Sequence, residues 1–421
     1  MKTGSRIDDA AARDGRRTSE MSRATSVAPL SEAVVLAAGE GSRLWPLTHF
    51  QPKPMIPIAN RPVIEYVLCA LADADVQRVV VVVGHRRTHV QNRLGHEYRG
   101  MELTYVHQRA QLGSGHALQQ AADVVGDEFL VVNGDNVIDG RMVRGTVTTF
   151  RETAAVATVA LARSETPRDY GVVRTDQGVI TSIDESAADP PWVNSGVYAF
   201  TEAIFDALGT TDTQARELRL PDAIQNLSGT VTASRPGGVW FDPSYPWDAL
   251  GAMSHLVSVH SASDSRSVVP DERVDASAAV HDSAVVEESS LVGPGCEIGA
   301  GAVVRAGSCL RENVRIGANA TVEGSIVGTD ASIGPNAVLR DTILGPGVHI
   351  GSGTVSPGGS ATLVINGRQY RDRQLGSVIA DYAWIGGNVT LVPGTRIGPF
   401  ATVEHGATVD GDIAEQAEVL A

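Results

Sequence analysis

Short apolar runs alternate with amphipathic stretches between Ser31 and about Leu250. The runs at positions 34–38, 79–83, 104–107 and 129–132 are apolar or β-branched, which is typical of parallel strands covered on both faces. Val63, Val67 and Leu71 share one face of a helix after the first run, and positions 115–125 form a second helical stretch. The alternation predicts an α/β domain with a Rossmann-like, doubly wound sheet, in which ligands bind beyond the carboxyl ends of the strands.

Apolar side chains recur at every sixth position in the C-terminal part of the chain. The unbroken series comprises Val268, Val274, Val280, Val286, Val292, Ile298, Val304, Leu310, Ile316 and Val322. After a slip, the predicted inward residues are Ile326, Val338, Leu344 and Ile350, with Ser332 as one polar interruption. After an insertion at 356–377, the series resumes with Ile379, Ile385, Leu391, Ile397, Val403 and Val409. Because neither a helix nor an amphipathic strand sustains a period of six, we predict a parallel β-helix of hexapeptide repeats, three to a coil.

These patterns divide the chain into three parts. Residues 1–30 carry scattered arginines among Ser, Thr, Ala and Asp without an apolar core, so we expect a disordered tail rather than a secretory signal, with Met21 as an alternative start. Residues 31–260 form the predicted α/β domain, and residues 261–421 form the predicted β-helix domain.

Composition excludes several classes of partner. The 421-residue chain has a net charge of −15, which argues against binding to nucleic acid. The longest apolar runs are too short to span a bilayer, so no membrane partner is expected. Three cysteines without a motif spacing, Cys69, Cys296 and Cys309, indicate neither a disulfide framework nor a zinc site, and we expect a cytoplasmic protein.

A glycine-rich turn follows the first predicted strand. Gly39 and Gly41 stand where a backbone can approach a bulky anion, and successive N–H groups in such a turn form a nest for phosphate. Arg43 adds a fork that can hold two phosphate oxygens, and Lys53 adds a point charge. A tight turn alone would explain the glycines. However, the chain contains only two lysines, Lys2 and Lys53, and retention of one in the folded body favours a nucleoside triphosphate site.

Polar residues follow two further strands at the same predicted edge. Asp135, after Asn133 and Gly134, can present a carboxylate to a divalent cation that bridges phosphate oxygens, although a turn or helix-capping role is the alternative. In the segment 108–117, the side-chain amides of Gln108 and Gln111 can pair with the imide edge of a pyrimidine, and Gly113 lets the backbone approach the base. A polar loop that caps the next helix would be the simpler explanation.

From about Glu32 to the C-terminus, these motifs resemble those of the sugar-1-phosphate nucleotidyltransferases, in particular archaeal relatives of the bifunctional N-acetylglucosamine-1-phosphate uridylyltransferase and glucosamine-1-phosphate acetyltransferase. The resemblance implies catalytic roles for Arg43 and Lys53 and metal ligation by Asp135 and Asp242, with Asp248 as the competitor of Asp242. The implied nucleotide-binding residues are Leu36, Ala38, Gly39, Gly41, Ser42, Gln108, Gln111 and Gly113. The implied sugar-binding residues are Gly171, Glu185 and Asn194. Many relatives have a lysine soon after that glutamate, where this chain has Ser186 and Ala187, and Arg174 is a possible substitute.

The resemblance also implies an activity. An oxygen of a sugar 1-phosphate, either N-acetylglucosamine 1-phosphate or glucose 1-phosphate, attacks the α-phosphorus of UTP or dTTP in the presence of Mg²⁺, and pyrophosphate leaves. The implied β-helix is left-handed and trimeric. Two alternatives stay open: a second activity that acetylates glucosamine 1-phosphate with acetyl-CoA, and a non-catalytic nucleotide-sugar sensor. His349 does not match the histidine base of the bifunctional relatives, which favours a β-helix that acts as a scaffold.

Overall fold

The computed structural model describes residues 30–167, 170–184, 187, 189–212, 217–260 and 273–421. The predicted tail therefore lies almost entirely outside the described residues. In the N-terminal domain the strands are β1 (Glu32–Ala37), β2 (Pro57–Ile58), β3 (Arg61–Pro62), β4 (Arg78–Val83), β5 (Glu97–Tyr98), β6 (Met101–His107), β7 (Glu128–Asn133), β8 (Val137–Ile138), β9 (Ala157–Arg163), β10 (Val172–Asp176), β11 (Val179–Asp184), β12 (Trp192–Thr201), β13 (Val231–Ser234) and β14 (Trp240–Phe241). The helices are α1 (Val63–Ala72), α2 (Arg87–Leu94), α3 (Ser114–Gln119), α4 (Gly140–Thr153), α5 (Ala203–Thr210), α6 (Leu220–Gln225) and α7 (Pro246–His260).

Ten strands form one sheet in the order β10-β11-β13-β9-β12-β7-β1-β4-β6-β5. β1 pairs in parallel with β4 and β7, and β4 pairs in parallel with β6, as the buried apolar runs predicted. Beyond β7 the sheet becomes mixed, because β12 runs antiparallel to both β7 and β9. Helices cover both faces: α1, α2 and α4 pack on one, and α3, α5 and α6 on the other. The doubly wound domain is confirmed.

The second predicted helix is shorter than the apolar pattern indicated. α3 ends at Gln119, and the chain continues in tight turns in which Ala122 N donates to Gln119 O at 3.2 Å and Val124 N donates to Ala121 O at 3.0 Å. Ala121 is fully buried although it lies beyond the helix. Val124, by contrast, is 37% exposed, so the apolar pattern predicted burial correctly for only part of this segment.

The C-terminal domain is a left-handed parallel β-helix with three faces. The first face stacks eight strands: Ala279–Val280, Glu297–Ile298, Arg315–Ile316, Ser332–Ile333, His349–Ile350, Trp384–Ile385, Thr402–Val403 and Glu418–Val419. The second stacks seven: Val285–Val286, Val303–Val304, Thr321–Glu323, Val338–Arg340, Val355–Ser356, Thr390–Leu391 and Thr408–Val409. The third also stacks seven: Ser290–Val292, Ser308–Leu310, Ile326–Val327, Ile343–Leu344, Ser377–Ile379, Thr395–Ile397 and Asp412–Ile413.

The predicted register was wrong by one residue in one coil. Val292 pairs with Leu310 in the preceding coil, and Leu310 pairs with Val327 in this one. This coil is therefore one residue shorter than the coil before it. The inward residues after the slip are consequently Val327, Ile333 and Leu339, all buried in the core of the β-helix. The predicted positions 326, 332 and 338 are their neighbours and face outward, so Ser332 does not interrupt the core. The shorter coil is accommodated at a corner, where the repeat tolerates a lost residue.

A β-hairpin interrupts the repeat. Its strands, Ser360–Ile365 and Arg368–Gln374, pair antiparallel, and we refer to Ser360–Gln374 as the hairpin. Its turn consists of Asn366 and Gly367, both with positive φ, which is the preferred composition of a two-residue hairpin loop. The insertion is thus a defined element rather than an irregular loop.

One apolar cluster joins the two domains. It contains Leu250, Met253 and Leu256 of α7 and the outward-facing Ile326 and Ile343 of the β-helix. The hairpin contributes a further set to the same cluster: Ala361, Leu363, Ile365 and Tyr370. The shared core holds the β-helix, and with it the hairpin, against the N-terminal domain. In the described part of the chain, no helix is both long and apolar enough to cross a membrane.

Candidate active site

The glycine-rich turn leaves β1 directly and folds back on the buried lysine. Gly41 has a φ of 71°, and a Cβ added there would lie 2.6 Å from the Cβ of Lys53. Both the conformation and the close contact therefore require glycine at position 41. At Gly39 an added Cβ would meet nothing within 4 Å, so the protein itself places no demand for glycine there. The predicted close approach of a ligand stays an open explanation for Gly39.

The turn is connected to its surroundings at three points. Thr48 Oγ1 donates to Gly41 O at 3.1 Å, which closes the loop. Gly134 N donates to Leu36 O at 2.8 Å and aligns the ends of β1 and β7. Arg43 lies in a short 3₁₀ helix, and its guanidinium carbon is 5.6 Å from the ring centre of Tyr245. The turn and the predicted carboxylate of β7 are thus held at one edge of the sheet.

Lys53 lies between the two predicted metal ligands. Its Nζ donates to Asp135 Oδ2 at 2.8 Å, to Asp242 Oδ1 at 2.8 Å and to Ser244 Oγ at 2.9 Å. Ser244 Oγ in turn donates to Asp242 Oδ1 at 2.6 Å. These contacts occupy the three donors of the ammonium group, so a phosphate could bind Lys53 only by exchange with one of them. Lys53, predicted to be catalytic, and the two predicted metal ligands thus form a single cluster, which does not include Arg43.

Electrostatics keep Lys53 charged despite its burial. Its side chain is 8% exposed, against 32% for Asp135 and 22% for Asp242. Burial is the largest influence and by itself lowers the pKa of Lys53. The charges of Asp135 and Asp242 and their hydrogen bonds together outweigh burial, so the pKa lies above its ordinary value. The ammonium group neutralises one of the two carboxylate charges, and the cluster keeps a net negative charge.

The cluster fits a divalent cation only together with other ligands. Among the described residues, no group of three or more His, Cys, Asp or Glu side chains could hold a metal. Asp135 and Asp242 each use one oxygen for Lys53, and within the described chain the second oxygen of each has no partner. Two carboxylates completed by water and substrate phosphates are a typical Mg²⁺ donor set. The donor set therefore suits a cation that binds with its substrate.

Asp242 and Asp248 have different roles. Asp242 joins the lysine cluster, whereas Asp248 lies in the first turn of α7, where its Oδ2 accepts from Tyr245 N at 3.2 Å. A carboxylate that reaches back to the N-terminal amide of its own helix is a capping interaction. The geometry favours Asp242 as the metal ligand of the pair.

The predicted base-reading loop is held mainly by its own amides. Gln108 is buried, and its Nε2 donates to Gly113 O at 3.0 Å and lies 2.9 Å from His116 Nδ1. Gln111 Nε2 donates to Ala38 O at 2.6 Å and ties the loop to the end of β1. A Cβ on Gly113 would lie 2.4 Å from Leu218 O, so this glycine accommodates the segment that precedes α6 rather than leaving room for a base. Gln111 is exposed, so its side-chain oxygen is the group left to contact a nucleobase, and neither glutamine lines the cavity described below.

The predicted sugar side is only partly described. Gly171 O accepts from Asn194 N at 2.7 Å, which places the two residues together. Asn194 Nδ2 donates to Tyr198 Oη at 2.8 Å, so the amide is fixed in orientation. Glu185 lies outside the described residues. Arg174, the suggested phosphate ligand, is exposed on β10 and is absent from the residues that line the cavity described next.

A cavity of about 640 Å³ brings these parts together. Its lining includes five predicted residues: Arg43, Gly113, Gly171, Asn194 and Asp242. Sequence reasoning missed others that line it: Arg219 and Tyr245 of the N-terminal domain, and Ile365, Asn366, Arg368 and Tyr370 of the hairpin. The Asn-Gly pair between two alternating stretches was the signal that could have revealed the hairpin, although not where it docks.

Comparison with known proteins agrees with this arrangement. A family described as Nucleotidyl transferase matches residues 32–265, more than half of the chain. The chain belongs to this family. A second family, described as the GMPPB C-terminal domain, matches residues 268–359 of the β-helix.

Relatives of this nucleotidyl transferase cover either the whole chain or its first domain. The Bifunctional protein GlmU of Methanococcus maripaludis strain C7 is 31% identical over 92% of this chain and 97% of its own length. The UTP--glucose-1-phosphate uridylyltransferase AglF of Haloferax volcanii is 37% identical over 53% of this chain and 96% of its own length. A solved UDP-glucose pyrophosphorylase complexed with UDP-glucose shares the fold of the first domain, with a TM-score of 0.50, 21% identity and coverage of 55% of this chain and 99% of that one. The protein is a sugar-1-phosphate nucleotidyltransferase related to GlmU, and it transfers a nucleotidyl group to a sugar 1-phosphate.

Proposed function

We propose that this nucleotidyltransferase is a uridylyltransferase that uses UTP and glucose 1-phosphate or N-acetylglucosamine 1-phosphate. The observation that carries the proposal is the cluster of Lys53, Asp135 and Asp242 beside the glycine turn; Asp242 and Asn194 line the same cavity. Pyrimidine recognition is supported by the side-chain oxygen of the exposed Gln111, which can accept the N–H of an imide edge, while the buried Gln108 holds the loop. The relative AglF is named as a UTP--glucose-1-phosphate uridylyltransferase, which supports UTP as the nucleotide.

In this reaction the protein positions phosphates and supplies charge. An oxygen of the sugar 1-phosphate attacks the α-phosphorus in line, the bond to the β-phosphate oxygen breaks, and pyrophosphate leaves. Arg43 neutralises charge that develops at the transferred phosphoryl group, and the backbone N–H groups of the glycine turn orient the triphosphate. Asp135 and Asp242 would hold Mg²⁺, which supplies further neutralisation of phosphate charge when bound. Lys53 keeps the two carboxylates together before the substrates arrive.

A panel of pyrophosphate-release assays tests the proposal. The full-length protein is supplied with each of UTP, dTTP, GTP, CTP and ATP in combination with glucose 1-phosphate, N-acetylglucosamine 1-phosphate and mannose 1-phosphate. We expect the highest kcat/KM with UTP and one of the first two sugars, and loss of turnover when EDTA removes the divalent cation. A preference for a purine nucleotide would contradict the proposed role of Gln111.

We further propose that the protein is a homotrimer assembled through the β-helix. The support for this state is the resemblance of the β-helix to hexapeptide-repeat domains that typically trimerise. Size-exclusion chromatography with light scattering should give a mass close to three times the 44.2 kDa of one chain. A monomer mass at micromolar concentration would contradict the proposal.

Acetyl transfer in the β-helix is a second candidate activity. His349 Nδ1 lies 2.8 Å from Ser332 Oγ, and its ring stacks on Trp384 at 5.9 Å. Burial lowers the pKa of His349, which favours the neutral form that a general base needs. We expect little release of free CoA from acetyl-CoA and glucosamine 1-phosphate, because the described residues give this histidine no carboxylate partner. CoA release that His349→Ala abolishes would establish the second activity.

A further inference from the structure

We propose that the hairpin of the β-helix domain is a working part of the nucleotidyl-transfer site, with Arg368 as a ligand of substrate phosphate. The inference rests on nucleotidyl transfer and adds a binding residue from the second domain. The phosphate belongs either to the sugar 1-phosphate or to the nucleotide, since the same guanidinium chemistry recognises both.

Position is the first argument. The hairpin side chains of Asn366, Arg368 and Tyr370 line the same cavity as Arg43 and Asp242. At the hairpin tip, Asn366 Nδ2 donates to Ser42 Oγ at 3.3 Å, so the tip reaches the glycine turn that is predicted to bind the triphosphate. The second domain thus closes one side of a cavity whose other walls come from the first.

Anchoring is the second argument. Tyr370 is 5% exposed, and its hydroxyl shares a 2.6 Å hydrogen bond with the hydroxyl of Tyr245, with the ring centres 4.8 Å apart. Tyr245 stacks on Trp247 at 4.8 Å and directly follows Ser244, which binds Lys53. A continuous set of contacts therefore connects the hairpin to the lysine cluster. A segment that only covered the surface would not need a buried tyrosine pair at the wall of the cavity.

Charge is the third argument. The substrates carry several negative charges, and Lys53 is already bound to two carboxylates. Among the described residues, the cations that line the cavity are Arg43, Arg219 and Arg368. The guanidinium carbon of Arg368 lies 4.9 Å from the ring centre of Tyr370, and Arg43 lies over the adjacent ring of Tyr245. Neighbouring rings thus present two planar forks at the same wall, an arrangement suited to phosphate oxygens.

The test compares Arg368→Ala and Arg368→Lys with Arg371→Ala in the full-length protein. Arg371 is the matched control, because it is exposed on the same hairpin strand, does not line the cavity and bonds within the strand to Gln369 Oε1 at 3.0 Å. Steady-state pyrophosphate release gives kcat and the KM for each substrate, and calorimetry gives the Kd of UDP-glucose without turnover. Circular dichroism and light scattering verify fold and assembly.

We expect Arg368→Ala to raise the KM of one phosphorylated substrate about tenfold or more, the usual effect of losing a charge-assisted hydrogen bond. A rise for the sugar 1-phosphate alone assigns Arg368 to the sugar phosphate, and a rise for the nucleotide alone assigns it to the triphosphate. Arg368→Lys should recover part of the loss, and Arg371→Ala should stay within twofold of the wild type.

Values within twofold of wild type for both KM and kcat in folded Arg368→Ala would overturn the proposal. Equal losses in Arg368→Ala and Arg371→Ala would also overturn it, because they would indicate a structural role of the hairpin. If the wild type releases no pyrophosphate with any uridine pair but Arg368→Ala weakens UDP-glucose binding, the proposed substrates fail while the hairpin assignment stands.

Discussion

Replacement of Lys53 by methionine removes the charge at the centre of the active-site cluster while keeping most of the side-chain volume. In the wild type, Lys53 Nζ lies 2.8 Å from both Asp135 Oδ2 and Asp242 Oδ1. In the variant, the two carboxylates would face each other without this ammonium group. Breaking a fully buried ion pair costs about 3–5 kcal/mol. Because the two carboxylates keep 32% and 22% exposure, we expect the lower end of that range.

A loss of about 3 kcal/mol would lower the melting temperature of a domain of this size by roughly 6–12 °C. Activity should fall by about 10²–10³ if the cluster is preorganised for the transition state. Adding Asp242→Asn to Lys53→Met should recover part of the lost stability, because one of the two unpaired charges is then gone. The assays are thermal and denaturant unfolding, followed by pyrophosphate release on the folded variants.

The pH dependence has a definite sign. The folded pKa of Lys53 is raised above 10.5, so its contribution to stability is fully present below that value and is lost only as the pH rises further. The stability difference between wild type and Lys53→Met should thus be unaffected by deprotonation of the lysine between pH 7 and 9. Arg99→Ala is the control, since its 3.6 Å contact with Asp73 is solvent-exposed and worth about 0–1 kcal/mol. An unchanged melting temperature for Lys53→Met would refute the reasoning.

Three further predictions follow from single contacts. Gly41→Ala should lower the free energy of unfolding by about 1–3 kcal/mol, because position 41 has a positive φ and an added Cβ would lie 2.6 Å from the Cβ of Lys53. Gly39→Ala should leave stability unchanged. Equal effects of the two substitutions would contradict the structural requirement for glycine at position 41. Tyr370→Phe removes the hydrogen bond to the hydroxyl of Tyr245 and should lower the free energy of unfolding in urea by about 0.5–1.5 kcal/mol. An unchanged free energy would mean that this hydrogen bond does not contribute to stability. Burial raises the pKa of Asp381 to about 6, so its ionisation lowers stability as the pH rises from 3.8 through 6. Asp381→Asn should therefore stabilise the protein at pH 8 but not at pH 4, and a gain at both values would contradict this reasoning.

Hydrophobic spacing was sufficient to predict both domains. A buried parallel strand needs several consecutive apolar residues, as in Val79–Val83, and a β-helix needs one inward side chain every six residues, as in the series from Val292 to Val322. For Gly41 the sequence predicted close approach to an anion, whereas the structure shows that its positive φ and its contact with Lys53 require glycine. The slip after Val322 was misplaced because Ile326 and Val327 are both apolar, and only the pairing of coils decides which of them points inward.

Tertiary structure alone decided how the site is assembled. Lys53 begins a short 3₁₀ helix, Asp135 follows β7 and Asp242 follows β14, so their mutual contacts depend on how three separate segments meet. The different contacts of Asp242 and Asp248 depend on the direction in which α7 begins. The hairpin arrives from the second domain, and the coils beneath it and the apolar interface along α7 set its position. The local hydrophobic pattern of the sequence predicts which stretches are buried. Contacts between residues that are hundreds of positions apart depend instead on how whole helices and strands pack.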